Sequence, residues 1–279
     1  MWVLVLTPER VERVRELIDS SYTIVTDAIE NHVLADGRDL AAVVILFSGG
    51  NDSTVLAHLF RRHANYAAHI NTGIGIEQTR EFVRDICKAW ELPLIEESPP
   101  PGNTYEELIM DQGFPGPAHH WKMYQRLKER ALRNVRRQLV SNPRRERVVF
   151  LAGRRRDESR RRQDIPTVER EGSVVWVSPL ANWTALDLNT YRSLADVPRN
   201  EVADLIHMSG ECLCGAFAKP GELEEIAFWF PEVAEHIHEL ERKVAAAGQA
   251  RCQWGWGAYR DKTRSKAGPL CSSCVALAA

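Results

Sequence analysis

Ser48-Gly49-Gly50-Asn51-Asp52-Ser53 puts two hydroxyls, two glycines and a carboxylate into six residues. Adjacent glycines let the backbone curl without Cβ clashes and bring several N–H groups toward one point. Ser48 and Ser53 add hydroxyl donors, and Asp52 is placed to cap a helix or to hold Mg²⁺ beside a phosphate. Such a loop favours an anion. Its spacing is neither that of the Gly-x-x-x-x-Gly-Lys-Ser/Thr loop nor that of the dinucleotide Gly-x-Gly-x-x-Gly. A tight turn with serine caps and no ligand would use the same residue types.

Gly153-Arg154-Arg155-Arg156-Asp157-Glu158-Ser159-Arg160-Arg161-Arg162 is a second concentration of chemistry. Its arginines repel one another unless acids or anions interleave them. They form either a solvated loop offset by Asp157 and Glu158 or an oxyanion clamp, since the guanidinium fork matches phosphate and sulfate. The segment follows directly on an apolar strand, which favours the clamp.

Cysteines are the third signal. Cys87 lies between Ile86 and Lys88 on a helix and reads as an inert core thiol. Cys212, Cys214, Cys252, Cys271 and Cys274 crowd the C-terminal part. Two close pairs in an intracellular chain read as a four-thiolate site, for an iron–sulfur cluster or for zinc, or else as redox thiols. Which four of the five would bind stays open. His119 and His120, in a Gly/Pro loop, read as bystanders. Arg133, Arg136, Arg137, Arg144, Arg145 and Arg147 extend a positive surface with few interleaved aromatics, a weak pointer to nucleic acid.

Stepping outward, Ala41 to Phe47 is an apolar run that reads as a strand buried on both faces. From Ser53, Val55, Leu56, Leu59 and Phe60 recur at helical spacing, so the glycine loop opens a helix where free N–H groups favour an anion. Thr7-Pro8-Glu9 starts a helix running to about His32. Strands are expected at Tyr66–Asn71, Leu92–Glu96, Arg147–Ala152 and Val174–Val177, with helices through Trp90, over Trp121–Val140 and from Trp183-Thr184. This alternation predicts an α/β fold with a mostly parallel sheet covered on both faces. Ligands in such folds sit at the carboxyl ends of strands, where Ser48, Thr72 and Gly153 fall. The chain divides into residues 1–199, a nucleotide-binding α/β domain, and 200–279, a helical Cys-rich subdomain. No internal repeat is present.

At 279 residues, with 44% apolar and 27% charged side chains, the composition is globular rather than disordered. A net charge of −2 says nothing global about a polyanionic partner. No apolar run approaches the ~20 residues needed to span a bilayer. The N-terminus lacks a basic region and a small-residue cleavage site, so a cytoplasmic protein with no membrane association is expected.

Taken in order, these motifs resemble those of the PP-loop ATP pyrophosphatase and phosphoadenylylsulfate (PAPS) reductase superfamily. Ser48 to Ser53 resembles its Ser-Gly-Gly-x-Asp-Ser loop, and Gly153, Arg155, Glu158, Ser159 and Arg162 match its Gly-x-Arg-x-x-Glu-Ser-x-x-Arg segment. Asn71-Thr72-Gly73 with Glu77 and Thr79 resembles its Asp-Thr-Gly…Glu-Thr segment, with Asn71 in place of the aspartate. Pro179-Leu180 and Trp183-Thr184 resemble its Pro-Leu…Trp-Thr turn. The resemblance implies an adenine nucleotide alpha hydrolase-like (Rossmann-like) fold. It implies ATP, or PAPS or adenylylsulfate (APS), bound by Ser48, Gly49, Gly50, Asn51, Asp52, Ser53, Thr72, Gly73 and Gly153. Asp52, Lys128, Arg155, Glu158 and Arg162 would serve catalysis, with Mg²⁺.

Several sulfur-handling members of the family carry a four-iron (4Fe-4S) cluster, so the resemblance favours iron–sulfur over zinc. The implied function is sulfur transfer in which ATP adenylylates an acceptor, nucleic acid among the acceptors, with a sulfur donor such as a cysteine desulfurase. The alternative is a PAPS or APS reductase working with thioredoxin, although its C-terminal Glu-Cys-Gly-Leu/Ile-His segment is missing here. A third reading is a non-catalytic nucleotide-binding subunit with structural zinc.

Overall fold

A computed structural model describes residues 6–159 and 162–257. Helix α1 (Pro8–Ile29) runs on through a π turn (Glu30–Leu34) before strand β1 (Asp39–Leu46). Then come α2 (Asn51–Phe60), β2 (Tyr66–Ile70), α3 (Glu77–Ala89) and β3 (Leu94–Glu97). After α4 (Tyr105–Gln112) and α5 (His120–Met123), a π segment (Tyr124–Glu129) precedes α6 (Arg130–Leu139) and β4 (Glu146–Leu151). The remaining elements are β5 (Val168–Glu171), β6 (Val174–Val177), α7 (Ala185–Leu194), α8 (Glu201–Leu205), α9 (Glu222–Trp229) and α10 (Pro231–Ala246).

Among the described residues two compact units are found. The first runs to Thr104 and resumes at Gln125–Leu213; the second comprises Tyr105–Tyr124 and the residues from Cys214 onward. The boundary expected at 199/200 does not coincide with these units. In these units residues 200–213 stay with the sheet, and residues 105–124 join the C-terminal part.

The first unit is a six-stranded sheet in the order β3-β2-β1-β4-β6-β5, parallel except for β5, which pairs antiparallel with β6. It is an α/β, Rossmann-like arrangement. Alternate residues of β1 are buried on opposite faces: Val43 and Ile45 in one core cluster with Val55, Leu56 and Val83, Ala42 and Val44 in another with Ala131, Leu132 and Val135. Burial on both faces is what an uninterrupted apolar strand requires. From β1 the chain steps outward to β2 and β3, then returns to the other side as β4. The ends of β1 and β4 therefore flank the crevice where strand order reverses.

Two expectations are corrected. The helix foreseen over Trp121–Val140 is interrupted by the π segment. Leu127, Ala131 and Val135 are buried at every fourth residue, a spacing over which an α-helix drifts by ~40° per step; the wider π turn offsets that drift. Strand β5 was not foreseen, because Val168-Glu169-Arg170-Glu171 carries a single apolar residue. Gly172, at φ +60°, lets it fold back onto β6.

In the second unit α9 and α10 pack on each other, and Ile226, Ile237, Leu240 and Val244 are buried. The Tyr105 hydroxyl donates to the Cys214 carbonyl at 3.0 Å, and Phe114 N–H to the Arg251 carbonyl at 2.8 Å. Among the described residues, no helix is long and apolar enough to cross a membrane.

Candidate nucleotide-binding site

After β1 the backbone turns at Gly49, φ +76°, and enters α2 through an extended Gly50. A Cβ on Gly49 would stand 2.8 Å from the Thr79 Cγ2, so only glycine fits both the conformation and the space. The N-cap is Gly50, and no side chain caps α2. The first-turn N–H groups of α2 thus stay available to an anion. The serines act mainly as scaffold: Ser48 and Ser53 Oγ lie 3.0 Å apart, and the Ser53 and Thr54 hydroxyls donate to the Gly50 carbonyl at 3.0 and 2.9 Å. Asn51 is the half-exposed first residue of the helix.

Asp52 does not cap the helix, contrary to one of the roles considered for it. Its Oδ1 accepts from Arg155 Nε at 3.0 Å. Arg155 is only 7% exposed, and its buried Nη1 has no hydrogen-bond acceptor, with Asp157 at 3.7 Å. Gly153 is what lets this segment come close, since a Cβ there would stand 3.1 Å from the backbone of Asp52 and Ser53. Glu158 is exposed, with 36% of its side chain reached by solvent, yet partial desolvation pushes its carboxyl above the usual range; Arg162 and Arg155 oppose the shift and the charge of Asp52 adds to it. Glu158 and Arg162 form a hydrogen-bonded ion pair. The neighbouring arginines are spent elsewhere: Arg154 Nε donates to Ser178 Oγ, and Arg156 to the Ile165 carbonyl and the Asn182 amide oxygen. Arg160 and Arg161 lie outside the described residues. A cavity of about 580 Å³ adjoins this segment, lined by Arg156, Asp157, Ser159, Gln163, Asn182 and Thr184; none of the loop residues lines it.

At the end of β2, Gly73 is exposed at φ +77°, and its N–H donates to Asn71 Oδ1 at 3.0 Å. Thr72 is fully buried and its hydroxyl donates to the Glu211 carbonyl at 2.9 Å. Lys128 Nζ reaches Glu211 Oε2 at 2.9 Å. Residues 209–213 thus strap across the 72–79 loop, with Thr79 Oγ1 donating to the Ser209 carbonyl at 2.7 Å and Ile76 N–H to the Gly210 carbonyl at 2.8 Å. The Asn200 amide ties this layer to the loop, donating to the Gly49 carbonyl at 2.9 Å and to Thr79 Oγ1 at 3.2 Å. Asn200, Ser209 and Glu211 were not singled out from sequence; only Asn200 carried a local signal, as a helix N-cap before Glu201.

Asp52, Arg155, Glu158 and Gly153 are therefore brought to the glycine loop, while the Thr72 and Lys128 side chains are turned to Glu211. Cys87 is buried and its thiol is pushed up to about 12, as befits a core residue. Of the five C-terminal cysteines, Cys271 and Cys274 lie outside the described residues. Cys212, Cys214 and Cys252 form no disulfide, and no group of three or more metal-ligating side chains occurs among the described residues.

The sequence profile of the phosphoadenosine phosphosulfate reductase domain matches residues 42–207. The chain is 30% identical over 201 residues to sulfate adenylyltransferase subunit 2 of Rhizobium tropici, an alignment covering 61% of each protein. It is 38% identical over 82 residues to an adenosine 5'-phosphosulfate reductase of Deinococcus radiodurans, covering 29% of this chain and 32% of that protein. The chain thus spans about 61% of the length of the first of these curated relatives. Among solved structures, the PAPS reductase of Candida auris superposes with a TM-score of 0.47 at 20% identity, over 73% of this chain and 94% of that one.

Proposed function

Because this chain belongs to the phosphoadenosine phosphosulfate reductase domain family, we propose that it is an adenylyl-transfer enzyme that uses ATP. Its named relatives are enzymes: a sulfate adenylyltransferase subunit and a phosphosulfate reductase. The observation that carries the reading is Arg155. A guanidinium that is buried, oriented by a carboxylate at 3.0 Å and left with an unbonded Nη1 has a donor to offer a further oxyanion. The first-turn N–H groups of α2 supply the neighbouring donors.

In this reading the β- and γ-phosphates lie against the loop and Arg155. An acceptor oxygen attacks the α-phosphorus, the bond from that phosphorus to the bridging oxygen breaks, and pyrophosphate leaves with the electron pair. Donors held in place before the reaction stabilise that charge without reorganising. Glu158, exposed but partly desolvated so that its proton affinity is raised, takes the proton when the acceptor is a hydroxyl. Asp52 commits one oxygen to Arg155, and the other suits a Mg²⁺ that arrives with the nucleotide and neutralises phosphate charge.

Delivery of sulfur would draw on a persulfide donor such as a cysteine desulfurase: the outer sulfur, passed to one of Cys212, Cys214, Cys252, Cys271 and Cys274, bonds to the acceptor carbon as AMP leaves with the electron pair, and a second of these thiols releases the product by forming a disulfide. Nucleic acid as acceptor rests on the arginines of α6 with Arg144 and Arg145 alone; Arg147, expected to extend that surface, is buried in β4 and paired with Asp36.

A second reading is reduction of APS or PAPS, favoured by the 38% identity to a phosphosulfate reductase. The two are separated by incubating anaerobically purified protein with ATP, and in parallel with APS, PAPS and a thiol reductant. Pyrophosphate from ATP supports adenylyl transfer. Sulfite from APS or PAPS, with ATP untouched, replaces it with the reductase.

A further inference from the structure

Arg192, on α7, is 9% exposed, and a cation so buried needs an anion beside it. Its ion-pair partner among the described residues is Asp204, at 3.9 Å. That carboxylate is already held at both oxygens by Arg199, at 2.7 and 2.8 Å. No hydrogen bond joins the Arg192 guanidinium to any described residue. Asp204 is therefore too distant and too engaged to be its counter-charge.

The elements around it also hold the glycine loop. Helix α7 packs against α2, and the hydroxyl of the preceding Tyr191 meets His58 Nδ1 of α2 at 2.8 Å. Helix α8, which carries Asp204, is capped by Asn200, whose amide holds the Gly49 carbonyl. Burial holds the Arg192 pKa below the usual arginine value and Arg199 adds to this, while Asp204 and then Asp52, in the first turn of α2, oppose it.

We infer that Arg192 is a phosphate-binding residue of the loop site, its guanidinium closing on the pyrophosphate portion of the nucleotide from α7. The inference rests on the adenylyl-transfer reading and adds to it a second buried arginine. Arg155 and Arg192 would then both meet the anion, one from the segment after β4 and one from α7. An ordinary ion pair with Asp204 would require Arg192 for stability. An anion contact instead leaves the ligand-free protein with a buried charge that a distant, shared carboxylate offsets only in part, and removal of the charge relieves that cost.

The test is calorimetric titration of inorganic pyrophosphate into the full chain, comparing wild type with Arg192→Ala, Arg192→Lys, Arg199→Ala and Arg155→Ala. Thermal melts are run with and without pyrophosphate. Loss of a charge-assisted contact is expected to weaken binding by about tenfold or more in Arg192→Ala. Arg192→Lys should recover part of it, and Arg199→Ala should bind like wild type. The ligand-free Tm of Arg192→Ala should be no lower than that of wild type, while its rise on adding pyrophosphate shrinks. Should Arg192→Ala fail to fold, Arg192→Gln carries the same comparison. Wild-type affinity in the Arg192 variants, with Arg155→Ala impaired, overturns the role of Arg192 alone. Wild-type protein that binds neither pyrophosphate nor ATP overturns the adenylyl-transfer reading as well.

Discussion

Gly49 and Gly73 both sit at positive φ, yet their surroundings differ, and that difference can be measured. A methyl on Gly73 meets nothing within 4 Å, whereas one on Gly49 would stand 2.8 Å from Thr79 Cγ2 and 3.3 Å from Asn200 Nδ2. Gly73→Ala should cost only the left-handed conformation, ~1–2 kcal/mol. Gly49→Ala adds overpacking of ~1–3 kcal/mol and should also weaken pyrophosphate binding. Urea midpoints read the first effect and titration the second; equal costs would contradict the packing. His58 offers a pH test. Burial, with Arg61 nearby, lowers it to about 4 from an ordinary 6.5. The unfolded chain therefore binds a proton in that window that the native chain does not. The stability due to neutral His58 is complete above pH 6.5 and is lost as pH falls through about 4. The wild-type urea midpoint should fall more steeply across that window than that of His58→Gln; parallel curves would contradict the assignment.

Elements bring together what the chain keeps apart. The Asn200 amide reaches Gly49 across 151 positions of sequence, and Thr72 meets Glu211 across 139. Asn200→Ala leaves a buried carbonyl without its donor, which should cost ~1–3 kcal/mol. The same change should weaken pyrophosphate binding, because the loop loses its brace; an unchanged urea midpoint together with unchanged affinity would contradict this. The strand, glycine turn and helix around Ser48–Ser53 were legible in the sequence because each is a local consequence of residue type. The strap over Thr72–Thr79 was not, since nothing in Ser209-Gly210-Glu211 announces a partner so distant. Nor could the arginine run reveal that Arg155 turns to Asp52 while Arg154 and Arg156 hold Ser178 and Asn182. Neighbours of one residue type are told apart only by the backbone that aims them.

At the scale of the whole molecule, alternating strands and helices announced a parallel sheet, and the ends of β1 and β4 meet where its strand order reverses. The grouping of residues 105–124 with the C-terminal unit was not announced, because compactness depends on tertiary packing rather than periodicity. The sheet presents at that reversal uncapped helix N–H groups and a buried guanidinium, proposed above as an anion site, and the open question is which bond of the nucleotide is broken there. A single turnover of ATP labelled at the γ-phosphorus, in the presence of Mg²⁺ and candidate oxygen acceptors, answers this directly. Adenylyl transfer predicts that the label leaves as pyrophosphate, in step with adenylylated product or AMP, and that Arg155→Ala abolishes the release. Label appearing as orthophosphate with ADP, or ATP left intact while APS or PAPS yields sulfite, would contradict it.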